Sequence, residues 1–323
     1  MASEFDFIQH YCRRLTQHTD LGVGDDAALM SIRSGYQLAV STDILVAGVH
    51  FYSDVDPLFL GRKAAAVNLS DMAAMGATPR WATLGLTLSD IDETWLNAFS
   101  YGFYTALSEY GVDWVGGDTT RGPLNIAVTI MGEVPQGRAL TRSGARAGDD
   151  IWVSGSVGDA AWGLAYLKCD VELDLEAQQY CRSRLENPTP RVRLGEELLS
   201  LAHSAIDVSD GLLADLNHIL VASRVGAVVD IKALPLSPAL LNHQSNSSLL
   251  DAVLSGGDDY ELCFTAPQSH QESIRQLSKK LFLPLTRIGK ITANPQQREL
   301  LNLSTDKNEA TYWTGYDHFK ELL

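Results

Sequence analysis

Several features that would assign this chain to a common enzyme class are missing. It has 323 residues but only four cysteines, Cys12, Cys169, Cys181 and Cys263, and no two of them form a CxxC pair. Zinc-ribbon and thioredoxin-type readings therefore lose their main support, and thiols scattered through so long a chain suit a reducing compartment. The eight histidines include no HExxH pair. There is no GxxxxGK(S/T) loop, no GxSxG elbow, no glycine-rich kinase loop followed by His-Arg-Asp, and no GxGxxG opening a helix. Basic residues are also scarce: 25 Lys and Arg against 40 Asp and Glu give a formal charge of −15. Such a chain is a poor partner for nucleic acid or for an anionic membrane surface. No uncharged apolar run approaches about 18 residues, which predicts no transmembrane helix. The start, Met1 to Asp6, is acidic and lacks the layout of a signal peptide, so the expectation is a cytoplasmic protein.

What is present can build a large core: 45% of the residues are hydrophobic. At roughly 150 residues per domain the length suits two domains. Phe5, Ile8, Cys12 and Leu15 recur at helical spacing. Tyr36 to Asp43 reads as a strand closing in polar groups, and Leu45 to Phe51 as strand-like. Asp56-Pro57 reads as an N-cap and first helical position for a helix running to Gly76. Trp81 to Leu88 reads as a strand, Asp92 as the cap of a helix ending at Gly111, and 112–115 and 126–134 as strands. The Gly- and Arg-rich stretch 135–149 reads as a linker. Beyond it come a strand at 151–154, helices at 159–168 and 190–203, a strand at 205–208 and a helix from Asp210. A strand at 225–231 follows, then strands near 261–265 and 285–291 bracketing a helix. The fold class is α/β (α+β) in two halves, 1–138 and 139–323.

Carboxylates carry the chemical signal. Gly-Asp-Asp occurs at 24–26, 148–150 and 257–259, and Gly-Asp at 117–118 and 158–159. Glycine allows close backbone approach and Asp offers hard oxygen, a combination that suits Mg²⁺ held with substrate phosphates; the same residues also simply make turns. Ser41 and Asp43 share one strand face, and Asn68 and Asp71, three apart, share one helix face in an alanine-rich segment. Asp207 and Asp210 flank a strand end, where Asp210 could equally cap the next helix. His50 reads either as a functional group or as a satisfied structural histidine.

These pieces occur in an order that resembles the thiamine-monophosphate kinase family of the aminoimidazole-ribonucleotide-synthetase-like ATP enzymes. They are GVGDDAAL (22–29), STD (41–43), VHF (49–51), KAAAVNLSDMAAMGA (63–77), GGDTTRG (116–122), LTRSGA (140–145), DVSDGL (207–212), SGGDDYEL (255–262) and WTGYDHF (313–319). The resemblance implies two α/β domains, with the N-terminal sheets of two chains pairing into a homodimer. It implies direct in-line transfer of the ATP γ-phosphoryl group to thiamine monophosphate, giving thiamine diphosphate, assisted by several Mg²⁺ ions.

Carried over by position, the metal ligands are Asp26, Ser41, Thr42, Asp43, Asp71, Asp118, Asp207 and Asp210. Gly117, Arg142, Ser209 and Tyr101 would bind ATP, and His50, Asp258 and Trp313 the substrate. The family commonly has Glu where this chain has Asp258, one methylene shorter. Lys63 would add positive charge near the phosphates. Arg142 alternatively reads as a solvated linker residue and Trp313 as an anchor on the core. The acceptor phosphate is already largely ionised at pH 7, which fits the lack of an evident general base. Two other readings share these residues: a sister ATP enzyme with a different acceptor, and a non-catalytic divalent-cation-binding protein.

Overall fold

The computed structural model describes residues 16–243, 246–303 and 312–315. The helical pattern at 5–15, with Cys12, and the motif end at 316–319 lie outside the described residues. The chain divides into two compact units, Met1–Ala139 and Leu140–Leu323.

In the first unit, β1 (Thr19–Leu21) and β2 (Leu29–Met30) form a small antiparallel ribbon. They are followed by β3 (Tyr36–Val46), α1 (Pro57–Ala74), β4 (Thr78–Leu88), α2 (Glu93–Glu109), β5 (Asp113–Arg121) and β6 (Asn125–Pro135). The main sheet has the order β3-β6-β4-β5, antiparallel except for β4 and β5, which α2 joins as a parallel crossover. Both helices start as their caps dictate. The Asp56 carboxylate accepts the Leu58 N–H at 2.9 Å, and Asp92 accepts those of Thr94 and Trp95 at 2.8 and 3.2 Å. A β-carbon on Gly61 would lie 2.1 Å from the Phe99 carbonyl oxygen, and one on Gly102 would lie 2.0 Å from that of Leu58. Glycine at both places therefore lets α1 and α2 meet backbone to backbone. α1 is apolar nearly all round and buried accordingly, with Ala64 to Ala66, Leu69, Met72 and Ala73 at 3% exposure or less.

Two strands differ from expectation. β5 does not stop at Val115 but runs through Gly116 and Gly117. A β-carbon on Gly117 would sit 1.9 Å from the Leu84 carbonyl oxygen, so this glycine keeps the strand pairing alive rather than breaking it. The strand-like 45–51 segment ends as strand at Val46, because Gly48 at φ +79° turns the chain and its N–H bonds the Phe51 carbonyl at 2.8 Å.

The second unit contains β7 (Asp150–Ser154), α3 (Asp159–Leu167), α4 (Leu175–Glu186), α5 (Val192–Leu198), β8 (Ser204–Asp207), α6 (Leu212–Ser223) and β9 (Gly226–Asp230). Next come α7 (Pro238–Leu241), α8 (Ser247–Ser255), β10 (Leu262–Ala266), α9 (Gln271–Leu281), β11 (Leu285–Thr292) and β12 (Arg298–Leu301). The sheet order is β12-β9-β11-β7-β10-β8, antiparallel at every junction except β12–β9. Ile151, Val153, Trp162, Ile206, Leu213, Leu216 and Ile219 form its core. The helix expected over 190–203 is only Val192–Leu198, and α4 had no counterpart in the sequence reading. Both units mix helix with mainly antiparallel sheet, as the α/β (α+β) reading expects.

Candidate functional site

In the first unit β3 and α1 bring three of the expected residues together. Ser41 and Asp43 lie on the β3 face that meets α1, and the Ser41 hydroxyl donates to Asp71 Oδ2 at 2.5 Å. Asp43 is half-buried, and among the described residues no donor bonds its side chain. Burial, with the neighbouring Asp71 charge second, pushes its carboxyl up to about 7. Asn68, one turn back on α1, donates to the Ala64 carbonyl at 3.0 Å and keeps a buried Oδ1 without a partner. Thr42 departs from the expected Ser-Thr-Asp ligand run. The two-residue period puts its side chain on the opposite face, bonded to Thr129 Oγ1 at 2.8 Å.

The register separates other expected residues. Asp43 pairs with Val128, Val128 with Leu84, and Leu84 with Gly117. Gly117 thus ends the row that Asp43 begins, three strand spacings or about 14 Å away. Asp118, exposed, falls in the next row with Gly85. Asp26 is exposed in the β1–β2 loop, and Tyr101 is 61% exposed on α2. His50 follows β3 in a turn, and its Nδ1 accepts the Val46 N–H at 3.0 Å, which leaves Nε2 to carry the proton of the neutral ring. Lys63 is buried within α1.

In the second unit the chain around Asp207 is zipped to the segment around Asp258. Asp258 N–H bonds the Ser209 carbonyl at 2.9 Å, Tyr260 N–H that of Val208 at 2.8 Å, and Val208 N–H that of Glu261 at 2.8 Å. These bonds bring Asp207, Ser209, Asp210 and Asp258 together. Asp258 and Tyr260 both hold left-handed φ angles, +67° and +51°, and the Tyr260 hydroxyl donates to Asp258 Oδ1 at 2.9 Å. The segment 312–315 passes the same place: a β-carbon on Gly315 would lie 3.3 Å from the Asp210 β-carbon. Trp313 is 7% exposed and belongs to the core cluster, with the Arg298 guanidinium 5.7 Å from its ring centre. Its anchoring role is thus plain, and this chain's own cation already lies over the ring. Arg142 is exposed.

Asp210 is not the helix cap that its position suggested. Gly211 occupies that place, and the bonding is done from inside α6 by Asp215, a residue the sequence reading missed. Asp215 Oδ2 accepts the N–H groups of Ser209, Asp210 and Gly211 at 3.0, 3.1 and 3.2 Å. Burial, then the Asp207 and Asp210 charges, pushes its carboxyl up to about 8 against those bonds. The available signal was an Asp in the first turn of a helix that follows a glycine.

Among the described residues no three His, Cys, Asp or Glu side chains gather into a metal cage. The donor sets present are pairs, and pairs suit Mg²⁺, which is usually held by one or two carboxylates with phosphates and water. A cation beside Asp43 and Asp71 would offset both the burial and the like-charge repulsion that raise the Asp43 pKa.

The N-terminal domain model of the AIR synthase related proteins matches residues 24–134, and the C-terminal domain model matches 146–301. Thiamine-monophosphate kinase of Escherichia coli (strain K12) is 48% identical over 323 residues, covering 98% of each chain. The crystal structure of thiamine-monophosphate kinase from Stenotrophomonas maltophilia K279a is 47% identical with a TM-score of 0.83, covering 88% of this chain and 91% of that one. AaThiL complexed with AMPPCP and TMP is 31% identical with a TM-score of 0.78 over 92% of each chain. Two domain models in sequence and near-complete alignment with kinases of one kind lead to one assignment: the chain belongs to the AIR synthase related family and, within it, to the thiamine-monophosphate kinases.

Proposed function

We propose that this protein transfers the γ-phosphoryl group of ATP directly to the phosphate of thiamine monophosphate, giving thiamine diphosphate and ADP. The observation that carries the chemistry is the Asp43–Asp71 acid pair, in which Ser41 donates to Asp71 while no described donor bonds Asp43. Bringing two anions together is a problem of positioning and charge neutralisation. Asp43 with Asp71, and Asp207 with Asp210, are the residues that would hold Mg²⁺, with Ser41 orienting Asp71. Asp26 and Asp118 are exposed and accessible to a hydrated cation. Bound Mg²⁺ would neutralise charge on the phosphate oxygens and orient them.

The chain's own residues do the rest. Arg142 offers a fixed guanidinium for phosphate oxygens, and Gly117, Ser209 and Tyr101 complete the proposed ATP contacts. His50 presents Nε2–H as a donor and Asp258 is the further substrate contact, with Trp313, packed in the core under Arg298, anchoring the segment beside it. The acceptor phosphate arrives largely ionised, so no side chain has to remove a proton from it. Residues 1–138 would carry the Asp43–Asp71 pair, Gly117, Tyr101, His50 and the dimer contact, and residues 139–323 would supply Arg142, Asp207, Ser209, Asp210 and Asp258.

Homodimer formation is supported by β3. It is an edge strand of 11 residues whose outward face exposes Leu38, Val40 and Ile44 at 43, 57 and 53%. A long apolar edge of this kind is normally covered. Free thiols at Cys169, Cys181 and Cys263 support a cytoplasmic setting, and no helix among the described residues is long and apolar enough to cross a membrane.

The test is ADP release from Mg-ATP with thiamine monophosphate, against thiamine and buffer. ADP formed only with thiamine monophosphate, and matched by thiamine diphosphate, is the expected result. A folded protein that binds Mg-ATP but forms no ADP with thiamine monophosphate would reassign the acceptor.

A further inference from the structure

Two side chains on α6, neither of them a proposed ligand contact, each gather three backbone groups from a loop that carries proposed nucleotide-side residues. At the start of the helix, Asp215 accepts the N–H groups of Ser209, Asp210 and Gly211 at 3.0 to 3.2 Å. At its end, the Ser223 hydroxyl accepts the N–H groups of Gly144 and Ala145, both at 3.1 Å, and donates to the Arg142 carbonyl at 3.1 Å. Asp215 is 2% exposed, and its helix is packed into the core through Leu212, Leu213, Leu216, Ile219 and Leu220, so it cannot shift without repacking. The residues 215 and 223 are eight apart, about 12 Å along the helix axis.

We infer that α6 is the positioning element of the nucleotide side of the site, with Asp215 setting the Ser209–Asp210 loop and Ser223 setting the Arg142 loop at a fixed separation. The inference rests on the kinase reading above. The geometry explains why a solvent-exposed arginine in a Gly- and Arg-rich stretch can have a defined place. One hydroxyl closes the Arg142–Ala145 turn against a rigid helix, and the Thr141 carbonyl accepts the Ala205 N–H at 3.1 Å. It also explains a buried carboxylate whose bonds all go to main chain: Asp215 fixes the direction in which Asp210 and Ser209 leave the strand end.

The experiment is steady-state kinetics on the full chain for Ser223→Ala, Ser223→Thr and Asp215→Asn, with thermal unfolding of each. Ser223→Ala is expected to raise KM for Mg-ATP by roughly 5-fold, the loss of about one net hydrogen bond's worth of positioning. Asp215→Asn is expected to raise it about 10-fold or more, as loss of an orienting partner does elsewhere. KM for thiamine monophosphate should stay within about twofold, and Ser223→Thr should restore the wild-type value. In an Arg142→Ala background, Ser223→Ala should add nothing further, because it acts through that loop. A purely structural role would instead lower the unfolding temperature and the active fraction with KM for Mg-ATP unchanged, and that result for Ser223→Ala overturns the inference even if Asp215→Asn fails to fold. A wild-type protein without thiamine-monophosphate-dependent ADP release would instead overturn the kinase reading.

Discussion

The two units treat their buried carboxylates differently. Glu261 in the second unit is fully buried, and Arg184 bonds it at 2.8 Å, Arg191 at 2.5 and 2.6 Å, and Ser154 at 2.6 Å. Asp43 in the first unit is half-buried beside a second acid, has no side-chain donor among the described residues, and is pushed up to about 7. The first unit can satisfy an acid when the fold needs it. Glu133 is 2% exposed, and although burial alone would raise its pKa, the Arg33 amide and guanidinium and Arg80 hold it below the usual carboxylate value. The contrast is in the partners: Glu261 and Glu133 are bonded by arginines, whereas Asp43 has no such donor among the described residues, the pattern expected of an acid kept for a ligand.

The largest effect that would sharpen this contrast is on turnover. Asp43→Asn should lower kcat by about a thousandfold or more, since charge stabilisation at the phosphates is the main catalytic term, while the unfolding midpoint does not fall. Near-normal turnover would remove Asp43 from the reaction. Arg191→Met should do the opposite: it leaves Glu261 undercompensated and costs about 3–5 kcal/mol of stability in urea unfolding. A loss below about 1 kcal/mol would put Glu261 in the same class as Asp43 and dissolve the comparison. Ser41→Ala removes the donor that orients Asp71 and should weaken Mg-dependent nucleotide binding about 10-fold, read by calorimetry, with little change in stability.

The smallest effect is a pH dependence whose sign differs between the two forms of the protein. In the metal-free protein Asp43 has a carboxyl raised from 3.8 to about 7, so its contribution to stability is present below the unfolded value and is lost as pH rises to about 7. Asp43→Asn should flatten that part of the stability profile. With Mg²⁺ and nucleotide the proton competes with the cation, so binding should weaken by up to about tenfold per unit as pH falls below about 7. Asp71→Asn, which removes the repulsion, should move that onset to lower pH.

Much of the contrast was legible in the amino-acid sequence, because it rests on short periods. Ser41 and Asp43 sit two apart on a strand, Asn68 and Asp71 three apart on a helix, and Asp56 and Asp92 precede their helices as caps. What was not legible depends on tertiary contact. Asp215 acts on residues four to six positions back only because Gly211 turns the chain over it. The continuation of β5 through Gly116-Gly117 depends on the Leu84 carbonyl beside it. α4 buries only Ala177, Cys181 and Leu185, too thin an apolar stripe to stand out in a polar stretch. Which of its two readings Trp313 follows was not legible either, because nothing in its neighbouring sequence announces Arg298 over the ring.

The most direct test of the central claim is a calorimetric titration of Mg²⁺ into the protein with AMPPCP, comparing wild type with Asp43→Asn at pH 8. Mg-dependent binding in the wild type, lost or weakened at least about 10-fold in a variant that remains folded, is the predicted result. Equal binding in the two would show that the acid pair of β3 and α1 is not the cation's seat.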